Sequence, residues 1–442
     1  MKKKEKRKII ILLLFVVILM VIGYITVYPV VLPLYQLRLF TLKPTVYSVY
    51  LNVFMLFMCI LSCTKLICDF KVYKYVSSLI VLYINILYFI PGFLMNLVYD
   101  TDIYFMNYYA LFWIGFIFAH KIVIVLGKKN PQPVLIKLNL KSYKWFYNTG
   151  IVIVFCTFSL VVSLFFNGGR ISITNLFNLD EVLESRAASS QLNIHWLIWY
   201  PIVCASMILP IWITLAYKNK KYWMIAFITI TILSMYSIGA NRSFLFMLGF
   251  AIIFSFYKDD DLLLIKIMVF ALVLVCIERY LNNGYPVMNI IRRLTITPNG
   301  ESRFYVDFFQ QNVPDLAKQI LERWLHPLGI NSNYDLRISA AIGNTYLNGS
   351  NCNNGLVGYA IANYGSLGII IGPILYALSF RLIDKIMKKI TYKKMLHVTA
   401  IVFALQITNS YGWAEYLILP SFLLLFYLLM LFMPSVKGND EQ

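Results

Sequence analysis

The chain has 442 residues, 60% of them apolar and only 13% charged, with a mean hydropathy of +0.72 and a formal net charge of +19. That balance excludes an ordinary soluble domain and describes an integral membrane protein that crosses the bilayer several times. A hydrocarbon core about 30 Å thick requires roughly 20 apolar residues per helix, so there is room for about a dozen spans and one substantial loop.

Met1 to Lys8 carries six basic residues and leads into an apolar run over 9–31. The run is too long for a signal-peptide core and no small-residue cleavage site follows, so it reads as an uncleaved first span with a cytoplasmic N-terminus. Further apolar runs lie at about 46–63, 75–98, 103–126, 146–166, 195–217, 222–239, 243–257, 262–281, 356–382, 395–413 and 415–433. The expected fold is therefore all-α: a polytopic helical bundle of about 12 transmembrane helices with both termini inside. One large external loop, 282–355, separates spans 1–281 from 356–442.

In this topology the inside segments hold 26 Lys and Arg and the outside segments 11. The residue types differ more than the totals: 24 Lys with 2 Arg inside, against 9 Arg with 2 Lys outside. Short loops rich in lysine are explained by the positive-inside bias, so the net charge gives no reason to expect nucleic acid. An arginine-rich outer face is different, because the planar guanidinium grips phosphate or carboxylate in two places. It reads as an anion-binding surface; the alternative is that these arginines pair with the loop's own acids. Six of the seven cysteines (Cys59, Cys63, Cys68, Cys156, Cys204, Cys276) lie in or beside apolar runs and only Cys352 lies in a polar one, which argues against a disulfide framework or a zinc site.

The turn Ser237-Ile238-Gly239-Ala240-Asn241-Arg242-Ser243 precedes a run too short for an upright span. Arg242 then lies at the outer headgroups, Asn241 or Ser243 can cap the following helix, and the corner suits an anionic diphosphate. The alternative is an arginine that snorkels to lipid phosphate. In the large loop, Pro314 to Leu325 has Pro at a plausible first position and an apolar face of Leu316, Ile320, Leu321, Trp324 and Leu325, which predicts an amphipathic helix ending at His326-Pro327. Arg303 and Asp307 stand at i and i+4, where a plain salt bridge is the alternative to a functional role. His326 can carry a proton near neutral pH, or simply satisfy local hydrogen bonds. Gly368 and Gly372 form a small-x-x-x-small face, and Tyr364-Gly365 is placed to interrupt the helix. Asp259-Asp260-Asp261 has the spacing of a sugar-transferase metal motif, yet sits in a tight turn with no nucleotide-binding domain around it and reads as a solvated loop.

The Gly-Ala-Asn-Arg-Ser turn, the Tyr280-Leu-Asn-Asn-Gly-Tyr-Pro286 that opens the large loop, and the Asn363-Tyr-Gly-Ser-Leu-Gly-Ile-Ile-Ile-Gly-Pro373 after it resemble bacterial oligosaccharide repeat-unit polymerases of the Wzy type. The resemblance extends over the topology of nearly the whole chain. It implies transfer of a growing glycan from undecaprenyl diphosphate onto a sugar hydroxyl of a new lipid-linked repeat unit, at the outer face of the bacterial cytoplasmic membrane. It implies no cofactor or metal; the partners would be the lipid-linked oligosaccharide, the bilayer and a chain-length regulator protein. Expelling a diphosphate needs preorganised positive charge, assigned to Arg242 with Arg292, Arg293 or Arg303 as helpers, and with Asn241, Ser243 and Arg337 completing the binding set. Glu301, Asp307 or His326 is the candidate general base. The rival readings are an O-antigen ligase, which shares the donor chemistry, and a flippase of lipid-linked oligosaccharide.

Overall fold

The computed structural model describes residues 3–26, 45–73, 75–99, 101–128, 150–166, 196–239, 242–258, 260–281, 286–316, 318, 329, 331–347, 352, 355–387 and 392–409. Among these every regular element is a helix. The helices are α1 (Lys3–Thr26), α2 (Val46–Tyr73), α3 (Val76–Ile84), α4 (Ile90–Val98), α5 (Ile103–Lys128), α6 (Ile151–Phe166), α7 (Trp196–Lys218), α8 (Tyr222–Gly239), α9 (Arg242–Phe256), α10 (Leu263–Leu281), α11 (Pro286–Ile291), α12 (Thr297–Gln311), α13 (Ile338–Tyr346), α14 (Leu356–Tyr364), α15 (Gly368–Met387) and α16 (Lys393–Asn409). Five stretches are long and apolar enough to cross a membrane, at Glu5–Ile25, Val46–Lys71, Val76–Val98, Ile103–Val125 and Leu356–Asp384, and shorter apolar helices lie within α6 to α9. The coarse architecture is thus the one that composition predicts, a helical membrane protein. The expected last run, 415–433, lies outside the described residues.

The chain packs as two compact units. One comprises 1–131, 261–383 and 406–418, and the other 132–260, 384–405 and 419–442. In the first unit α2 shows why these sequences are helical: Tyr50, Phe54, Phe57 and Leu61 are exposed while Met55, Cys59 and Cys63 are fully buried. An apolar stripe left outside the packed face is what lipid, not water, would cover. The stretch 76–98 has no such stripe and is buried throughout but for the half-buried Leu97. It forms the centre of this unit.

That central stretch and the helix pair α11–α12 solve the same local problem in the same way. Each contains a proline, Pro91 or Pro298, which lacks an N–H and clashes with the preceding turn. In both cases a π-helical segment stands just before it, Asn85–Phe89 and Arg292–Ile296, each ending two residues short of the proline. The widened turn absorbs the clash but releases carbonyls from the regular ladder. The Tyr88 carbonyl is taken up by the Asn299 amide at 3.0 Å and lies 3.0 Å from the Tyr109 hydroxyl, which is also 2.7 Å from Asn299 Oδ1. Gly92 makes room for this group, since a Cβ there would collide with the Tyr109 hydroxyl.

The apolar stretch 356–384 is not one straight span. Gly365, at φ 56°, separates α14 from a single 3-10 turn and α15. A methyl group at Gly372 would lie 2.9 Å from the Ala360 methyl. On a continuous helix these residues would be about 18 Å apart, so α14 folds back along α15. The small-residue face has its expected packing role, with Gly372 against Phe112 and Gly368 against Tyr108 of α5.

Helix ends meet in an up-and-down order. At one end of the first unit the start of α1, the end of α2 and the turn leading into α10 converge, with Lys71 Nζ 3.7 Å from both Glu5 and Asp261. At its other end the Tyr99 hydroxyl donates to the Tyr24 carbonyl at 3.1 Å. The second unit gathers residues 217–222, 255–257 and 392–394: Lys394 donates to the Ser255 carbonyl at 2.8 Å and lies over the Tyr217 ring, and Lys218 lies over Tyr392. Every one of these groupings brings together segments that the charge pattern assigns to the same side.

Candidate functional site

The first half of the polar segment, expected as external loop, is helical and largely interior. Residues 294–302 are all buried, and α12 packs against α14 and the central stretch. The reason lies in the spacing of its side chains. Glu301, Ser302, Tyr305 and Phe309 recur at helical intervals on one face, while Arg303, Asp307 and Gln310 follow at i, i+4 and i+7 on another. One helix therefore carries two sets of polar groups, one shut in and one open.

On the closed face Glu301 forms an ion pair with Arg293 at 3.5 Å, with side-chain exposures of 7% and 20%. Arg292, at the head of the π segment, is also buried. The Cys352 thiol reaches the Glu301 carbonyl at 3.9 Å, and the Tyr305 hydroxyl donates to the Cys352 carbonyl at 3.1 Å. Burial, and then the nearby Glu301 charge, push the Cys352 thiol above its ordinary range, which favours the protonated thiol. Ser302 Oγ and the Tyr88 hydroxyl are 2.7 Å apart. Glu301 and Arg293 thus serve each other within the core; neither lines the open cleft described next.

The open face borders a cleft of about 110 Å³ between the start of α5, α12 and the end of α13. Arg303 is half-buried there, with Asp307 and Asp102 exposed beside it. Asp102 caps α5, accepting from the Phe105 N–H at 3.2 Å, and the same oxygen accepts from Gln310 Nε2 at 3.3 Å. Asp307 Oδ2 accepts from the Tyr346 hydroxyl at 2.7 Å. Desolvation, and after it the Asp307 contact, raise the Tyr346 hydroxyl well above the usual phenol range, so it remains a donor at neutral pH. The Phe304 and Tyr346 rings stack at 5.1 Å with 9° between their planes, giving the cleft a firm aromatic wall.

Of the residues expected to act, Arg303 and Asp307 meet in this cleft, where Asp307 accepts from Tyr346. Arg292, Arg293 and Glu301 are elsewhere, on the closed face. Arg337 is exposed at the N-cap position of α13. Arg242 is the first residue of α9, a helix of 15 residues, and Ser243 therefore lies inside the first turn and not at its cap. Asn241 and His326 lie outside the described residues. The amphipathic helix does not begin at Pro314: Leu316 has φ 54°, and the Asp315 and Leu316 N–H groups donate to the Ala362 and Asn363 carbonyls. These belong to the last turn of α14, whose carbonyls have no partner within their own helix. Asp315 is held across the loop by Ser332 and the Asn333 N–H, each at 2.9 Å. The rest of that expected helix lies outside the described residues, apart from Lys318.

The residues that sequence reasoning missed are Asp102, Gln310 and Tyr346. For Asp102 a signal was present, an acid next to a span start in the second expected external loop; for Tyr346 there was none. No group of three or more His, Cys, Asp or Glu is disposed to hold a metal among the described residues. No family model, curated protein or solved structure matches the chain.

Proposed function

We propose that the protein is a membrane glycosyltransferase that polymerises undecaprenyl-diphosphate-linked repeat units into a surface polysaccharide, through about 12 spans with the polar segment outside. The observation that supports this most is the mixed-charge cleft at one end of an apolar helical unit, where a membrane-borne substrate can meet an arginine, two carboxylates and an aromatic wall. Asp307 takes the proton of the attacking sugar hydroxyl as the new glycosidic bond forms. The donor's bond to its diphosphate breaks in the same reaction, and the leaving charge calls for guanidinium; Arg242 is named for this from its own place in the second unit alone, as the first residue of a helix whose first N–H groups are unpaired within it.

Deleting the gene and measuring polysaccharide chain length tests the reading. Single repeat units on the carrier or core are the expected result. Complete loss of surface sugar would instead indicate a flippase, and normal-length polymer left unattached to its acceptor would indicate a ligase. At Arg242, substitution by Lys keeps the charge but not the planar pair of donors. Arg242→Lys is expected to fall close to Arg242→Ala in polymer yield at equal protein level; wild-type polymer with Lys would make Arg242 only an electrostatic or snorkelling residue.

A further inference from the structure

The cleft on the open face of α12 has a charge balance that decides what it can hold. Among the described residues that line it, Asp102 and Asp307 contribute two negative charges and Arg303 one positive, for a formal balance of −1 in a space of about 110 Å³. A diphosphate brought here would meet two carboxylates for each guanidinium, and like charges within a few Å of one another cost several kcal/mol. Sequence reasoning placed Arg303 among the diphosphate-gripping residues; its neighbours argue for a different ligand.

We infer that this cleft is the subsite for an uncharged, hydroxyl-rich sugar ring of the acceptor, held by Asp102, Arg303 and Asp307 against the Tyr346 wall. Carboxylates are the strongest acceptors for sugar hydroxyls, and among the described residues the hydrogen bonds already in the cleft fall on Oδ2 of each. Arg303 supplies donors to ring or hydroxyl oxygens without needing a partner charge. Tyr346, backed in parallel by Phe304, offers a rigid apolar surface for the C–H face of a pyranose. Asp102 is the residue that this assigns anew: as the cap of α5 it is fixed at the mouth, on a different helix from Asp307, so a ring between them is gripped from two sides. The choice of a sugar over other polyols rests on the glycosyl-transfer reading.

The test uses the purified full chain in detergent micelles and a panel of methyl glycosides (gluco, galacto, manno and N-acetylglucosaminyl), read by saturation-transfer NMR. At least one glycoside is expected to bind. Asp102→Asn and Tyr346→Phe are each expected to weaken it about tenfold, the loss of one charge-assisted hydrogen bond or of its organiser, while inorganic pyrophosphate leaves it in place. Absence of binding by every glycoside, binding indifferent to both variants, or displacement by pyrophosphate overturns the inference. The outcome separates from that of the gene deletion. Binding that depends on Asp102 without a polysaccharide phenotype supports the subsite and removes the polymerase reading. A shortened polymer without such binding does the reverse.

Discussion

The two faces of α12 carry similar residues to different ends. Arg293 and Glu301 meet on the closed face and Arg303, Asp307 and Asp102 on the open one; both are sets of guanidinium and carboxylate, and only Ser302 separates Glu301 from Arg303. Residue type and sequence position therefore do not distinguish a structural charge from an acting one. Burial of the carboxylate does: Glu301 is buried and Asp307 exposed, while Arg293 and Arg303 are both intermediate, and a buried carboxylate must keep its partner where one on a cleft can exchange it for a ligand.

The largest effect expected from breaking this contrast is on the closed face. Arg293→Ala removes the guanidinium 3.5 Å from the buried Glu301 carboxylate, and should cost about 3–5 kcal/mol of stability. The thermal midpoint in detergent should fall steeply, and Arg293→Met combined with Glu301→Met should recover much of the loss. An unchanged midpoint for Arg293→Ala would mean that the pair is wetter than its exposure suggests.

On the open face the order of effects reverses. Asp307→Asn should lower turnover by about 10²-fold, near 2.7 kcal/mol of barrier, with the thermal midpoint left at the wild-type value. A variant that melts early without a specific loss of turnover would place Asp307 with Glu301 as a structural residue. Because the sequence treated Glu301 and Asp307 as equal candidates for the base, this pair of experiments is the direct measure of what the fold adds.

Smaller still is Gly92→Ala, which forces a methyl group into the Tyr109 hydroxyl and Asn299 on the closed side. Overpacking of this kind costs about 1–3 kcal/mol. Asn299→Ala made in the same background should relieve part of that cost, since the two changes share one contact. Least of all is Gln310→Ala on the open face, where an exposed 3.3 Å hydrogen bond to Asp102 is lost; the midpoint should move by no more than about 0.5 kcal/mol equivalent.

Much of the fold was legible because membrane helices report themselves locally. Twenty apolar residues in a row have one stable arrangement in lipid, with every backbone hydrogen bond made inside the segment. Helices accordingly stand within each expected run that the structure describes. Gly365 announced its break, because a positive φ is a property of a single residue; the π-helical segments before Pro91 and Pro298 were not foreseen. What was not legible was the fate of residues 286–311. Their charges and amides suggested a segment facing water, but the stripe Glu301, Ser302, Tyr305, Phe309 finds partners in Arg293, Tyr88, Cys352 and the core, so the helix is drawn inward.

The same division holds for the candidate site. The sequence by itself determined that the protein is helical and apolar, that its arginines cluster in the segments expected outside, and that Arg303 and Asp307 share a helical face, since all of these follow from composition, charge and a period of 3.6 residues. Only the tertiary structure decided that Asp102, some two hundred residues earlier in the chain, and Tyr346, on a separate helix, complete the cleft while Glu301 does not. Contacts between distant segments are set by which faces pack and which remain open, and that depends on every helix at once.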